Sequence, residues 1–117
     1  MEINKTDAYY CISPSQNEML SEKDGFQIFY NAFLENNTNF KNINIILDFS
    51  EIINIDLNKI LLFSHLSETH RNNNQSFVIV CKGIEFDKIP DEIVAVPTLK
   101  EAEDIIEIEN IERDLGI

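Results

Sequence analysis

The stretch IILDFSEIINIDLNKILLFSHL, residues 45–66, decides how this chain is read. Ile45, Ile46 and Leu47 are an apolar run bounded by Asp48 and Ser50, the pattern of a buried strand with a polar end. A second apolar run follows, and Asp56 then opens an amphipathic segment. Asp is a good helix N-cap, and Leu57, Ile60, Leu61 and Leu66 supply an inward stripe for one helix running to the turn at Asn72–Gln75. A strand handing over to a helix through an acidic cap is a βα unit, with its functional rim at the strand's C-terminal end.

Working outward, Ser76–Cys81 (SFVIVC) is a near-continuous apolar run, as in a strand covered on both faces of a parallel or mixed sheet. The expectation is that residues 43–49 and 76–81 lie side by side, with the Asp56 helix packed on one face. Residues 8–13 (AYYCIS) read as a strand stopped by Pro14, and Pro14–Leu20 as a loop. Ser21–Asp24 has the form of a weak cap for a helix bearing Phe26, Phe29, Ala32 and Phe33, ending near Asn36. Gly83–Asp91 reads as a loop or short turn closed by Pro90, and Ile93–Val96 as a short strand before Pro97. Thr98-Leu99-Lys100-Glu101 is a capping box for a last helix reaching about Leu115, with Gly116 as terminator. The fold class is therefore α/β: one domain over residues 1–117, a mixed sheet of about four strands with helices packed against it. Met1–Lys5 or Pro14–Leu20 are candidates for a further, marginal strand.

At 117 residues the chain buries about two-thirds of its unfolded surface, enough for one core. No window reaches the roughly 18 apolar residues of a membrane span, and MEINKTDAYY lacks the basic start and apolar stretch of a signal peptide. A cytoplasmic location is expected. Cys11 and Cys81 sit in strand-like runs and read as buried thiols. The 21 acids against 9 bases give a net charge of −12. That charge repels phosphate, so neither nucleic acid nor an anionic membrane is an expected partner. It suits a basic partner, or solubility alone.

His65 and His70 are five residues apart; at about 100° per residue they point about 140° apart and cannot share a metal from one helix. No metal, cofactor or catalytic set is expected: there is no Gly-x-Ser-x-Gly, no Cys–His pairing and no glycine-rich phosphate loop. The carboxylates Glu101, Glu103, Asp104, Glu107, Glu109, Glu112 and Asp114 crowd the last helix, as a solvated face or as a docking face for a basic partner.

The sequence of strand, Leu47-Asp48-Phe49-Ser50 and then Ile55-Asp56 before a helix resembles the STAS family, the anti-sigma-factor-antagonist-like domains. In that pattern Asp is followed by Ser-Ser-Gly; here Asp56 is followed by Leu57-Asn58-Lys59, so the place of the phosphorylated serine is held by Asn58. The ending EAEDIIEIENIERDLGI, after IVAVPTL, is similar to a small STAS-like group some of whose members carry the label ribonuclease Z. The resemblance implies a non-catalytic protein–protein interaction or regulatory module, monomeric or weakly dimeric, binding a protein partner through Asp48, Asp56, Leu57, Asn58 and Lys59. The alternatives are an accessory protein or enzyme of RNA processing, as that label implies, or a small-ligand sensor. A ribonuclease Z needs a histidine-rich two-metal site, which two histidines cannot build.

Overall fold

A computed structural model describes residues 1–20, 25–52 and 55–116. Five strands form one mixed sheet: β1 (Glu2–Lys5), β2 (Tyr10–Ser13), β3 (Ile45–Asp48), β4 (Phe77–Val80) and β5 (Val94–Val96), in the spatial order β1-β2-β3-β4-β5. β1 runs antiparallel to β2, and the remaining neighbours are parallel. The sheet thus has five strands rather than the expected four. The fifth is the exposed edge strand Glu2–Lys5, within Met1–Lys5, one of the two stretches expected to hold a marginal strand. The expected pairing of the two apolar runs is present, with Ile45 opposite Phe77 and Leu47 opposite Ile79.

The helices are α1 (Gln16–Leu20), α2 (Gly25–Asn36), α3 (Leu57–Leu61), α4 (Ser64–Asn72) and α5 (Leu99–Asp114). Parallel strands that step one way across a sheet through right-handed crossovers leave every crossover on the same face. Phe29 and Phe33 of α2, Ile60 of α3, Phe63, and Ile84 and Ile89 of the β4–β5 connection accordingly share one core with Ile12, Ile45, Leu47, Phe77 and Ile79. The opposite face is covered by α5, whose Ala102 and Ile106 rest on Ile46, Val78 and Val80. Ile45–Leu47 and Phe77–Val80 are fully buried because the sheet is covered on both sides.

Two segments differ from the sequence expectation. Pro14–Leu20 is neither loop nor strand: Gln16–Leu20 is a short helix begun by a reciprocal box, in which Ser15 N donates to Glu18 Oε1 (2.7 Å) and Glu18 N donates to Ser15 Oγ (3.3 Å). The single helix expected from Asp56 is two helices. At the junction Leu62 N and Phe63 N bond three residues back, to Lys59 O and Ile60 O, which tightens the turn. Three large apolar residues stand in a row there, and only Phe63 turns inward; Leu61, expected inside, is exposed like Leu62. Leu57 and Leu66 are half-buried. The expected cap at Ser21–Asp24 lies outside the described residues.

The last helix starts and stops as its sequence dictates. Thr98 Oγ1 accepts from Glu101 N (3.2 Å) and donates to Glu101 Oε1 (2.9 Å), and Gly116 ends α5 at φ +74°.

Candidate functional site

The C-terminal end of β3 positions the expected rim. Asp48 Oδ1 accepts from Ser50 N (3.0 Å), and Phe49 N donates to Val80 O (2.8 Å), which prolongs the ladder by one bond. The Phe49 ring turns into the core edge-on against Phe29, 5.5 Å between centroids, so the chain's direction after β3 is fixed by packing. Buried Ile55 anchors the far side of the connection. Asp56, in extended conformation (φ −113°, ψ 168°), then accepts from Lys59 N at 2.9 Å and starts α3.

The five expected contact residues do not converge. Alternation along β3 puts Asp48 on the α5 side of the sheet, with Ile46, whereas Ile60 anchors α3 in the layer on the other side. Asp48 lines a depression of about 200 Å³ with Glu2, Asn4, Ser13, Ser50 and Glu51. Among the described residues that line it, three are carboxylates and none is a cation, so they repel anions. Asp56, Leu57, Asn58 and Lys59 are not among the described residues that line it. They form a second surface: Asp56 and Asn58 are exposed, Leu57 and Lys59 half-buried. Lys59 Nζ lies 5.6 Å from the centroid of the Phe26 ring. This is a cation–π contact between α3 and α2, and because α3 has only five residues Lys59 stands in its last turn as well as its first.

Other reactive groups are held inert. Burial, then the negative charges of Asp48 and Glu103, push the Cys11 thiol up to about 11, and burial alone pushes Cys81 to about 11. Neither is a thiolate at neutral pH. His65 is exposed, while His70 is buried with Nε2 2.6 Å from Ile43 O, so the two rings are apart as their spacing requires. Burial holds His70 below the usual imidazole value, with the Ile43 hydrogen bond opposing. Among the described residues, no group of three or more His, Cys, Asp or Glu is placed to hold a metal ion.

A polar clamp at the opposite end of the sheet escapes the sequence reading. Arg71 of α4 forks onto Glu109 of α5 (2.7 and 3.4 Å), and Ser76 Oγ donates to Glu109 Oε1 at 2.6 Å. Arg113 Nη2 donates to Asn110 Oδ1 (2.6 Å), Ser76 Oγ (3.1 Å) and Asn44 Oδ1 (3.3 Å). Asn44 in turn accepts from Ser76 N (2.8 Å) and donates to Ala8 O (3.0 Å). Burial raises the Glu109 carboxyl, but the Arg71 and Ser76 hydrogen bonds and the two guanidinium charges outweigh it and leave the group below its usual range. Glu109 is therefore not part of a solvated acidic face. The signal available in sequence was the spacing Glu109–Arg113, one turn apart on the same side of the helix as Ala102 and Ile106.

No protein-family model matches this chain, and no curated protein matches it.

Proposed function

We propose that this chain is a non-catalytic protein-interaction module of the STAS type, acting in the cytoplasm, in which Asn58 holds the position of a phosphorylatable serine. The observation that carries this reading is the surface of α3. Asn58 is exposed in its first turn, Asp56 is committed to the Lys59 amide, and the exposed apolar pair Leu61 and Leu62 follows directly. A carboxamide at a helix start both donates and accepts hydrogen bonds, but its charge cannot be toggled. Such a surface is constitutive. Its partner is a protein, since a net charge of −12 disfavours nucleic acid and anionic membranes. Asp48, on the other side of the sheet, shapes the loop that precedes this surface through its bond to Ser50 N.

Affinity capture from native cytosol with Asn58→Arg and Lys59→Glu tests the reading, after circular dichroism confirms that both variants fold. At least one partner held by the wild type is expected to be lost from both. If both variants retain every partner at wild-type affinity, α3 is not the interface. Incubation with cytosolic kinases and ATP is expected to leave partner binding unchanged. Stoichiometric phosphate at Ser50 or Ser64 that alters binding would mean that the module is switched after all.

A further inference from the structure

We propose that the outer face of α5 is a docking surface for a basic amphipathic helix of a partner protein. This surface does not depend on α3, which lies across the sheet. Helix α5 is apolar on two opposite sides. Ala102 and Ile106 face the sheet, and Glu109 and Arg113 continue that side into the clamp. At about 100° per residue, Ile108, Ile111 and Leu115 fall within about 60° of one another on the side facing away. They are 55%, 53% and 68% exposed. Spacings of three and four residues make them one continuous ridge, the i, i+3, i+7 pattern that meets the seam of a second helix.

The flanks identify the chemistry of the occupant. On the same projection Glu112 borders the ridge on one side, with Glu107 and Asp114 on the other. All three are exposed, and among the described residues no cation is paired with any of them. Arg113, the base nearest in sequence, is committed inward to Asn44, Ser76 and Asn110. Lys100 is paired with Asp104 at 2.8 Å, toward the other end of the helix. An apolar ridge flanked by Glu112 on one side and by Glu107 and Asp114 on the other is complementary to a helix with leucine-like side chains on one face and Lys or Arg beside them. A second copy of this chain would set carboxylates against carboxylates, and anionic lipid headgroups meet the same repulsion. The clamp holds α5 in place before any partner arrives, so little ordering of this face is needed on binding.

The test uses the full chain and a labelled synthetic peptide of about 18 residues, a length that supports a helix, with leucines on one face and lysines on both flanks. Fluorescence anisotropy is expected to detect binding. Amide shift changes should concentrate in residues 104–116. A peptide with glutamate in place of lysine, and one of unchanged composition but scrambled order, should bind at least about tenfold more weakly. Ile108→Ser with Ile111→Ser, and separately Glu107→Lys with Glu112→Lys, should each weaken the lysine peptide by about tenfold or more. Both pairs are exposed, and the peptide comparisons need only the wild type. Equal binding of the scrambled peptide, or shifts centred elsewhere, would overturn the proposal. A wild-type dimer in sedimentation that Ile111→Ser dissociates would assign the ridge to a second copy. Flotation with neutral lipid vesicles that Ile111→Ser abolishes would assign it to a membrane. Either result also overturns it.

Discussion

Arg71 and Glu109 meet at 2.7 Å around the N-terminal end of the sheet and tie together layers that lie on its opposite faces. Arg71 belongs to α4, on the side of the aromatic core, and Glu109 to α5, on the other side. Ser76, just before β4, completes the link from below.

Breaking this ion pair should loosen α5 selectively. Arg71→Ala leaves Glu109 with Arg113 and Ser76 nearby, so the expected loss is about 1–3 kcal/mol, the range for a hydrogen-bonded, partly desolvated charge. Urea denaturation of Arg71→Ala, Glu109→Ala and the double variant measures it, and the double variant should lose less than the sum of the singles. Additive losses would mean that the two groups stabilise the fold independently. Amide exchange should quicken in α5 before it does in β3.

His70 makes stability depend on pH. Its folded form stays neutral below the usual value of 6.5 because burial outweighs the hydrogen bond to Ile43 O. As pH falls through 6.5 the unfolded chain takes up a proton that the folded chain refuses. The stability contributed is therefore fully present above the unfolded value, and it declines as pH drops toward the folded one. Urea midpoints between pH 7.5 and 5 should fall, and His70→Gln, which keeps a donor for Ile43 O, should flatten that slope. An unchanged slope in the variant would assign the pH response to other groups.

How much of this was legible in sequence depended on whether one element carried its own signal. Ile45–Leu47 and Phe77–Val80 declared themselves by length and apolarity, and their adjacency follows from chain order and handed crossovers. Thr98–Glu101 and Asp56 announced their helices through caps that act within four residues. The box Ser15–Glu18 was equally local, but the neighbouring Pro14 read as a stop and hid it. The clamp was illegible for a different reason. Asn44, Arg71, Ser76 and Glu109 come from four separate segments, and nothing in a single segment tells a paired carboxylate from a solvated one. The rim is divided because strand alternation turns the Asp48 side chain to the α5 side of the sheet, away from α3.

The two thiols offer a check on the electrostatics of the open hollow beside β3. Both are pushed to about 11, but for Cys11 the charges of Asp48 and Glu103 add to burial, whereas Cys81 is raised by burial alone. Iodoacetamide at pH 8 should therefore modify the native protein slowly at both positions and rapidly once urea unfolds it. Asp48→Asn removes a charge that opposes the Cys11 thiolate, so its alkylation should accelerate while that of Cys81 does not, as read by peptide mass spectrometry. Equal acceleration at both would point to a general loosening of the fold.

The junction between α3 and α4 separates packing from hydrogen bonding. Phe63 contacts the rings of Phe26, Tyr30, Phe33 and Phe49, with centroids 5.2–6.0 Å away. Tyr30 also donates its hydroxyl to Leu62 O at 3.3 Å, a carbonyl exposed to solvent at the tightened turn. If the rings hold the two helices at this angle, Phe63→Ala should cost about 3–5 kcal/mol, as for other fully buried phenylalanines. Tyr30→Phe should cost about 1 kcal/mol or less, because water can replace an exposed hydrogen bond. Chemical denaturation gives both values, and amide exchange in residues 57–67 locates them. Should Tyr30→Phe prove the costlier change, the turn would be held by its carbonyl contact, and Leu61 and Leu62 would owe their exposed positions to Tyr30 rather than to the burial of Phe63.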